Sequence, residues 1–298
     1  MSNRLRYNSI SEYLKSVFGS KTIKLSIDGG FTCPNRDGSK GYGGCIFCSD
    51  TGSGEFSSDI ENQIELLSKK WHDVNYLAYF QNHTNTYAPA SELREKYYSV
   101  LEHEKISGLA IATRPDCLDD EVLDLLEEIA SEHFLWVELG LQTIHEDTAG
   151  LINRCYSLDV FDRAVTELTK RNIKTVVHLI LGLPGETEEM MLDSVRYVSS
   201  IPHLFGIKLH LLNVVKGSPM ERSHPGYVSF NSIEEYVNLV VSCLEIIPPE
   251  VTVHRLTADA PRNILISPLW SFNKRTILNG INDRMNLLDT WQGKKAVR

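Results

Sequence analysis

Three of the six cysteines lie close together in a glycine-rich loop, residues 28–56, with the spacing C-x11-C-x2-C. They are Cys33, Cys45 and Cys48. A long loop without apolar periodicity inside a compact domain usually has a function of its own. Three thiolates can hold a [4Fe–4S] cluster and leave one iron open to a substrate or cofactor. This loop, called the cysteine loop below, is therefore the first candidate site.

Two other chemistries are compatible with the cysteine loop. Structural zinc needs four ligands, and the next histidines, His72 and His83, do not have ordinary zinc-finger spacing. A thioredoxin-like C-x-x-C motif would use Cys45 and Cys48 but would leave Cys33 without a role. The spacing favours iron–sulfur over zinc and over redox thiols, and it excludes none of the three.

The remaining cysteines, Cys117, Cys155 and Cys243, have no near neighbours of their kind in the sequence. Buried thiols behave as small apolar side chains, so we expect all three to be core residues. Cys117 and Cys155 fall close to predicted strand ends and could instead face the site.

Short apolar runs alternate with amphipathic segments along the chain. The runs are mostly unalternating, as expected for strands buried on both faces. They cover residues 22–27, 75–80, 108–113, 135–139, 175–181 and 207–212. Helical periodicity lies between them, with predicted N-caps at Ser58, Ser91, Thr187 and Ser232.

Six strand–helix units in succession predict parallel strands with right-handed crossovers. Six are too few for a complete eightfold barrel, so we predict an α/β fold, a partial (β/α)6 TIM-like barrel. Its site should lie at the carboxyl ends of the strands. We divide the chain into a basic N-terminal segment (1–22), the barrel (23–250) and a short C-terminal extension packed on the barrel (251–298).

The charge of the chain is −9 and is unevenly distributed. Residues 1–28 carry a net +3 and residues 270–298 a net +4, so the middle is strongly acidic. The overall acidity argues against a basic coat for nucleic acid, but the two ends could form a local surface for an anionic ligand if they meet. No apolar run approaches the ~20 residues of a membrane span, and the first residues lack the apolar segment of a secretion signal. We expect a cytoplasmic protein with no membrane partner.

Several motifs resemble one known family. The cysteine loop, with Phe47 before its last cysteine, resembles the cluster loop of the radical S-adenosylmethionine (SAM) superfamily. Further motifs resemble the subgroup around the catalytic subunit of Elongator, in order and at predicted strand ends: ATRPDCL (112–118), VELGLQTIHEDTAGLINR (137–154), HLILGLPGET (178–187), IKLHLLNVVKGSPM (207–220), HRLTADAP (254–261) and SPLW (267–270). The chain resembles the stand-alone YhcC/YtqA type, for which we expect no acetyltransferase domain and no acetyl-CoA chemistry.

The resemblance implies the cofactors and their ligands. A [4Fe–4S] cluster on Cys33, Cys45 and Cys48 would cleave SAM reductively to methionine and a 5′-deoxyadenosyl radical. The residues implied for cofactor binding are Phe47, Gln81, Thr84, Glu138, Gln142, Arg154, Leu181, Gly182, His210 and Leu211. No residue is implied as the one that handles the substrate radical.

Individual roles follow from the same resemblance. Glu138 and Gln142 would contact the ribose and amino groups of SAM, although Glu138 could simply pair with a neighbouring Arg or Lys. Arg154 would pair with the methionine carboxylate, while Leu181 and Gly182 would present backbone to the adenine. The Gly-Gly-Glu turn common in the family is replaced here by YFQNHTNTYAP (79–89).

The resemblance also implies a substrate and partners. The substrate would be tRNA, whose wobble-uridine side chain would change from carboxymethylaminomethyl to aminomethyl before a separate methyltransferase completes it. The electron donor would be flavodoxin- or ferredoxin-like, and RNA contacts are expected at Lys274, Arg275, Lys294 and Lys295. Two alternatives remain: radical chemistry on a small metabolite or protein, which the acidity favours, and a zinc-binding scaffold without catalysis.

Overall fold

The computed structural model describes residues 5–49, 51–52 and 56–296. In chain order its strands are β1 (Thr22–Ile27), β2 (Asn75–Phe80), β3 (Ile106–Thr113), β4 (Phe134–Gln142), β5 (Lys174–Leu181), β6 (Gly206–Leu211), β7 (Val214–Val215), β8 (Thr252–Arg255) and β9 (Leu265–Ser267). Its α-helices are α1 (Ile10–Phe18), α2 (Ile60–Ser68), α3 (Ala90–Leu101), α4 (Asp120–Glu132), α5 (Glu146–Leu151), α6 (Leu158–Lys170), α7 (Glu188–Ser199), α8 (Pro219–Ser223), α9 (Ile233–Ile246) and α10 (Lys274–Leu287). Among these helices, none has the length and apolarity that a membrane span requires.

Seven strands form one parallel sheet in the order β1-β2-β3-β4-β5-β6-β8. The sheet is curled into a half-barrel, so the predicted partial TIM-like barrel is confirmed. All six predicted strands are present, with ends shifted by one to three residues in four of them. The seventh strand, β8, lies in the segment predicted as a C-terminal extension and pairs with β6. The strands β7 and β9 form a separate antiparallel pair.

Side chains alternate between the two faces of each strand. On β5, Val177, Leu179 and Leu181 pack against the surrounding helices in the main hydrophobic core. The intervening His178 and Ile180 face the barrel interior. This alternation decides which residues of each strand can reach a ligand inside the barrel.

The helix N-caps agree with the sequence in two of four cases. Thr187 and Ser232 accept hydrogen bonds from the backbone N–H groups three residues later, as predicted. The prediction of Ser58 is wrong because the Asp59 carboxylate caps α2 instead. The prediction of Ser91 is wrong because α3 begins earlier, after Pro89, whose ring fixes φ near the helical value.

The amino-terminal ends of the strands are closed by α1. Leu14 of α1 packs in the barrel interior with Leu77, Trp136 and other inward-facing side chains. The two chain ends meet at this closed end, where the backbone N–H of Gln292 donates to the Arg6 carbonyl at 3.0 Å. The opposite end, where the strands terminate, is therefore the open end of the barrel.

Candidate active site

The open end of the barrel contains a cavity of about 430 Å³. This volume is typical of a small-molecule site. Its walls come from the cysteine loop, the carboxyl ends of β1 to β6 and of β8, and residues that follow β8. Among the residues predicted from the sequence, those that line it are Cys33, Cys45, Phe47, Cys48, Gln81, Thr84, Glu138, Gln142 and His210.

The cysteine loop is fastened to the segment that follows α5. The side-chain amide of Asn35 donates to the Asn153 carbonyl at 2.6 Å and lies 3.6 Å from the Cys45 sulfur. In return, the Asn153 amide donates to the Gly44 carbonyl at 2.8 Å. A backbone hydrogen bond of 3.0 Å from Cys48 to Cys45 tightens the C-x-x-C turn. The loop therefore holds its thiols at a fixed place in the cavity wall.

The thiols influence one another electrostatically. Burial, with a smaller contribution from the neighbouring Cys48, raises the pKa of Cys45 to about 12, whereas Arg114 acts in the opposite direction. Arg114 is itself held by Asp116 through two hydrogen bonds of 2.9 Å, which tie down its own loop. Metal binding would draw the thiols into their thiolate form, and Arg114 is placed to stabilise that charge.

A single metal ion has no ready-made site in the described residues. No group of three or more His, Cys, Asp or Glu side chains within them is arranged to hold one. Zinc with thiolate ligands at about 2.3 Å needs its sulfur atoms tightly grouped around one point. The zinc interpretation gains no support from this arrangement.

A buried polar network lies in the barrel wall next to the cavity. The Glu138 carboxylate accepts hydrogen bonds from the Tyr79 hydroxyl at 2.6 Å and the Trp136 indole at 3.0 Å, and it forms an ion pair with Lys208. The Lys208 ammonium also donates to the Tyr79 oxygen at 2.7 Å. Burial would raise the pKa of Glu138, but Lys208 and Lys24 outweigh burial and lower it. Burial lowers the pKa of Lys208 to about 7, against the effect of Glu138.

This network changes the interpretation of Glu138. Its carboxylate lines the cavity as predicted, but three protein donors engage it. The pairing with a neighbouring Lys, which the sequence left open, is the one observed. A contact with a ribose hydroxyl stays a prediction that must share the carboxylate with these donors.

Two histidines on adjacent strands face the cavity side by side. The rings of His178 and His210 are 5.1 Å apart, centroid to centroid. Burial lowers the pKa of His178 to about 3 and holds that of His210 well below its usual value, so both rings are neutral at pH 7. The buried Nε2 of His178 and Nδ1 of His210 have no hydrogen-bond partner among the described residues. His178 is therefore a buried histidine with an unpartnered ring nitrogen at the cavity wall.

The cavity fits the two expected cofactors. At one end, three cysteines supply the sulfur donors of an iron–sulfur cluster. Further along the wall, Thr84 Oγ1 and the two histidine nitrogens are buried without partners in the described protein. Buried polar atoms without partners are costly, and the amine, carboxylate, hydroxyl and adenine groups of SAM are suitable partners. The donor set and the unpartnered atoms together match a cluster with SAM beside it.

Gln142 sits at an irregular point of β4. Pairing between β4 and β5 shifts register between Gly140 and Gln142, and Gln142 has a positive φ of 65°. Such bulges commonly redirect a side chain next to an active site. The Gln142 amide oxygen accepts a hydrogen bond from the Tyr156 hydroxyl at 3.1 Å, which fixes its direction in the cavity wall.

Arg154 is not a cofactor ligand. Its side chain is fully buried outside the cavity lining. The guanidinium donates to the carbonyls of Leu141 at 3.1 Å, Thr143 at 2.6 Å and Tyr156 at 2.9 Å. The prediction that it pairs with the methionine carboxylate is wrong, because the backbone around it occupies its donors.

Leu181, Gly182 and Leu211 are also wrong as cofactor contacts. The side chain of Leu211 belongs to the core between sheet and helices, and the Leu181 carbonyl, predicted to face the adenine, accepts from the Leu212 N–H at 3.0 Å. The Gly182 carbonyl accepts from the Tyr227 hydroxyl at 2.9 Å, and its N–H lies 3.1 Å from the Met191 sulfur. These backbone groups are therefore already engaged.

The neighbouring positions reach the cavity instead. Ile180 and Leu212 line it, one residue before Leu181 and one after Leu211. For Leu211 the error arose from choosing a strand-end residue without regard to the alternation of side chains between the two faces, which is fixed once one inward residue is known.

The other three cysteines differ in their surroundings. Cys117 and Cys243 are buried, as expected for core residues. Cys155 is exposed, so the expectation of a core position is wrong for it. It follows Asn153, whose side-chain oxygen accepts from the Cys155 thiol at 3.2 Å beside the cysteine loop. None of these three cysteines lines the cavity.

The four predicted RNA contacts do not form one surface. Lys274 begins α10 and pairs at 2.6 Å with Asp259, a residue of the cavity mouth, and the exposed Arg275 follows it. Lys294 and Lys295 lie beyond the other end of α10, where Lys295 pairs with Glu245 at 2.5 Å. The helix between them is about 20 Å long. Only Lys274 and Arg275 are close to the open end of the barrel.

Several lining residues were missed by the sequence predictions. They include Arg36, Tyr79, His83, Arg114, Tyr156, His178, Lys208, Asn213, Arg255 and Asp259. For some the signal was present: Lys208 and His210 are two apart on β6, and Tyr79 and Gln81 are two apart at the end of β2. The period of two along each strand would have grouped them on the inward face.

Comparison with known proteins identifies the family. Residues 33–198 match the model of the radical SAM superfamily, and residues 205–286 match that of the Radical_SAM C-terminal domain. Uncharacterized protein YtqA of Bacillus subtilis (strain 168) is 45% identical over 301 residues, covering 97% of this chain and 92% of that protein. Protein YhcC of Escherichia coli (strain K12) is 39% identical over 265 residues, covering 87% and 85%.

More distant matches extend to Elongator-like proteins. The tRNA uridine(34) acetyltransferase of Methanocaldococcus infernus is 26% identical over 186 residues, covering 61% of this chain and 34% of that protein. The structure of Methanocaldococcus infernus Elp3 with an N-terminal deletion matches with a TM-score of 0.65 at 17% identity, covering 91% of this chain and 64% of that one. At that identity the structural likeness shows the fold alone. The chain belongs to the radical SAM superfamily, whose cofactors are a [4Fe–4S] cluster and SAM, and is related within it to YtqA, YhcC and the Elongator-like proteins.

Proposed function

We propose that this radical SAM enzyme modifies the side chain of a wobble uridine in tRNA, from carboxymethylaminomethyl to aminomethyl. The observation that carries the proposal is the similarity of 61% of the chain to a protein named tRNA uridine(34) acetyltransferase. A flavodoxin- or ferredoxin-like donor would supply electrons, and a separate methyltransferase would act on the product.

The cofactor ligands are part of this proposal. Cys33, Cys45 and Cys48 would hold the cluster, because they are the cysteines that line the cavity. Thr84 and the histidine pair would give hydrogen bonds to SAM, because their polar atoms have no partners in the described protein. Phe47, Gln81 and Gln142 would complete the SAM site from the same wall.

The reaction can be written with its atoms balanced. The carboxymethyl carbon next to nitrogen loses two electrons, water adds to it, and its bond to nitrogen breaks, which releases glyoxylate and the aminomethyl nucleoside. SAM, with a [4Fe–4S] cluster held by Cys33, Cys45 and Cys48, would supply the two-electron oxidant: one substrate hydrogen would end in 5′-deoxyadenosine, formed beside methionine, and the second electron and a proton would leave separately. The protein must exclude competing reactions of the radical, and the cavity walls around the histidine pair are buried enough to do so.

The mouth of the cavity offers positive charge to the RNA backbone. We expect the double variant K274E/R275E to lose affinity to a similar extent for tRNAs of different sequence. The slope of log affinity against log salt concentration should become smaller by about one for each lost phosphate contact. The matched control is K294E/K295E at the closed end of the barrel, which reverses the same charge with little loss. Equal losses for the two double variants would mean that binding follows net charge and that the mouth is not the RNA surface.

The decisive experiment for the substrate is mass spectrometry of tRNA nucleosides from a strain that lacks the gene. We expect carboxymethylaminomethyl uridine to accumulate and its aminomethyl-derived forms to disappear, with recovery by the intact gene and none by a Cys48→Ala copy. An unchanged nucleoside profile would contradict the tRNA proposal. The net charge of −9 would then favour the second candidate, radical chemistry on a small metabolite or protein.

A further inference from the structure

The surroundings of the cavity near the ends of β6 and β8 carry an excess of positive charge. Four cations, Lys24, Lys208, Arg255 and Lys274, interact there with two carboxylates, Glu138 and Asp259, in the described part of the chain. Glu138 and Lys208 are 2% and 4% exposed, so water screens them poorly. A wall of this kind is stabilised by an anion from outside the chain.

Arg255 is the cation best placed to meet such an anion. It ends β8, lines the cavity, and its side chain is 28% exposed. Its guanidinium makes one long hydrogen bond, 3.4 Å to Asp259, within the described residues. The same carboxylate oxygen of Asp259 is held more closely by Lys274, at 2.6 Å. The planar fork of Arg255 is therefore open to an acceptor with two oxygens.

Nearby groups on the wall point to the same kind of ligand. The Asn213 side chain, just beyond β6, lines the cavity with both of its amide atoms buried and unpartnered among the described residues. Arg255 lowers the pKa of Lys208 and of His210, after the larger effect of burial, which shows that its charge is felt across the wall. An anion bound at Arg255 would relieve this repulsion, and the Asn213 amide could donate a further hydrogen bond.

We infer that Arg255 binds the carboxylate of the substrate side chain and so distinguishes a carboxymethylaminomethyl uridine from its aminomethyl product. This inference rests on the proposed function, since that substrate brings the carboxylate into the cavity. Loss of the carboxylate in the reaction would also weaken the hold on the product and favour its release.

The test compares two tRNAs that differ only in the wobble side chain, carboxymethylaminomethyl or aminomethyl. Their affinities for the cluster-loaded enzyme are measured by fluorescence anisotropy. A hydrogen-bonded charge pair at a partly exposed site corresponds to a preference of about tenfold for the carboxylate form. We expect Arg255→Gln to reduce this preference to less than about twofold and Arg255→Lys to keep part of it. The matched control Arg262→Gln, which removes an exposed guanidinium outside the cavity lining, should keep it fully.

Each contrary outcome has a distinct meaning. An undiminished preference in Arg255→Gln, or a parent enzyme that binds both tRNAs equally, would overturn the inference. An equal loss for both tRNAs would make Arg255 a phosphate contact and would also overturn it. SAM affinity is measured in parallel, because a matching loss there would assign Arg255 to the methionine carboxylate. The proposed function fails separately, by an unchanged nucleoside profile in the deletion strain, a result that does not depend on Arg255.

A second variant covers the case in which Arg255→Gln does not fold. Asp259→Asn keeps the shape of its side chain but removes the charge that Arg255 and Lys274 share. We expect a larger preference for the carboxylate tRNA, because Arg255 loses its competing partner. A preference that falls in Asp259→Asn would contradict the inference.

Discussion

Glu138→Gln tests whether the buried network beside the cavity is held by charge. The substitution keeps the length of the side chain but removes the negative charge that faces Lys208, Tyr79 and Trp136. Removing one partner of a buried ion pair costs about 3–5 kcal/mol because the other charge is left uncompensated. With roughly 2 °C per kcal/mol for a domain of this size, we expect the melting temperature to fall by about 6–10 °C at pH 6.

The pH dependence provides the sharper test. Lys208 has a pKa of about 7 in the folded protein against 10.5 when unfolded, so it is charged in the native state below pH 7 and mostly neutral at pH 9. Between pH 7 and pH 10.5 Lys208 binds a proton in the unfolded chain but not in the folded protein. The free energy that Lys208 costs the folded state therefore decreases as the pH rises through this range. At pH 9 Glu138 has no charged Lys208 to pair with, so Glu138→Gln should cost much less than at pH 6.

Melting of the cluster-loaded parent and variant at pH 6 and pH 9 measures both effects. The matched control is Glu128→Gln, which removes a carboxylate from a surface pair with Arg94. Surface pairs contribute little, so the control should change the melting temperature only slightly and equally at both pH values. The ionised network would be refuted if Glu138→Gln did not lower the melting temperature at pH 6, or lowered it as much at pH 9 as at pH 6.

Three further predictions address other parts of the site. Replacing any one of the three cysteines of the cysteine loop by Ala should abolish the iron-dependent absorbance after anaerobic reconstitution, whereas Cys243→Ala, in the core, should retain full iron content; iron retained in a loop variant would remove that cysteine from the ligand set. Arg154→Leu should lower the melting temperature by several degrees, because it strands buried carbonyls, while SAM affinity measured by calorimetry at 10 °C stays within about twofold; a stable variant with lost SAM affinity would restore Arg154 as a ligand. Gly182→Ala should destabilise the fold by more than about 1 kcal/mol, since Gly182 has φ +89° and a Cβ would lie 2.6 Å from that of Ser229; an unchanged denaturant midpoint would contradict this.

The sequence predicted the barrel well because its signals are local. Buried parallel strands read as short apolar runs, and 22–27 and 75–80 agree with β1 and β2 at both ends. The three clustered cysteines likewise needed no long-range information, and they do line one cavity.

The errors concern long-range contacts and backbone direction. Arg154 has the chemistry of a carboxylate ligand, but its guanidinium donates to backbone carbonyls. Those of Leu141 and Thr143 are 13 and 11 residues away in the sequence, so nothing in the sequence indicated these contacts. Leu211 was one residue out of phase with the inward face, which exchanges core and cavity. The pairing of Lys208 with Glu138, 70 residues apart, depends on the order of strands in the sheet and could not be predicted from either motif alone.

The position of the two charged chain ends also depends on long-range contacts. They do meet, as Arg6 pairs with Asp289 at 2.9 Å, but at the closed end of the barrel. The net charge of each end therefore gave no guide to which cations face the cavity, and Arg255, within the segment where β8 was not foreseen, was missed.

Anaerobic turnover tests the central claim most directly. The reconstituted enzyme is incubated with SAM, dithionite and tRNA that carries carboxymethylaminomethyl uridine, and 5′-deoxyadenosine, glyoxylate and nucleosides are measured together. We predict one 5′-deoxyadenosine and one glyoxylate for each aminomethyl uridine formed, and no product with Cys48→Ala. Absence of 5′-deoxyadenosine from the loaded parent enzyme, or its undiminished formation by Cys48→Ala, would contradict the account.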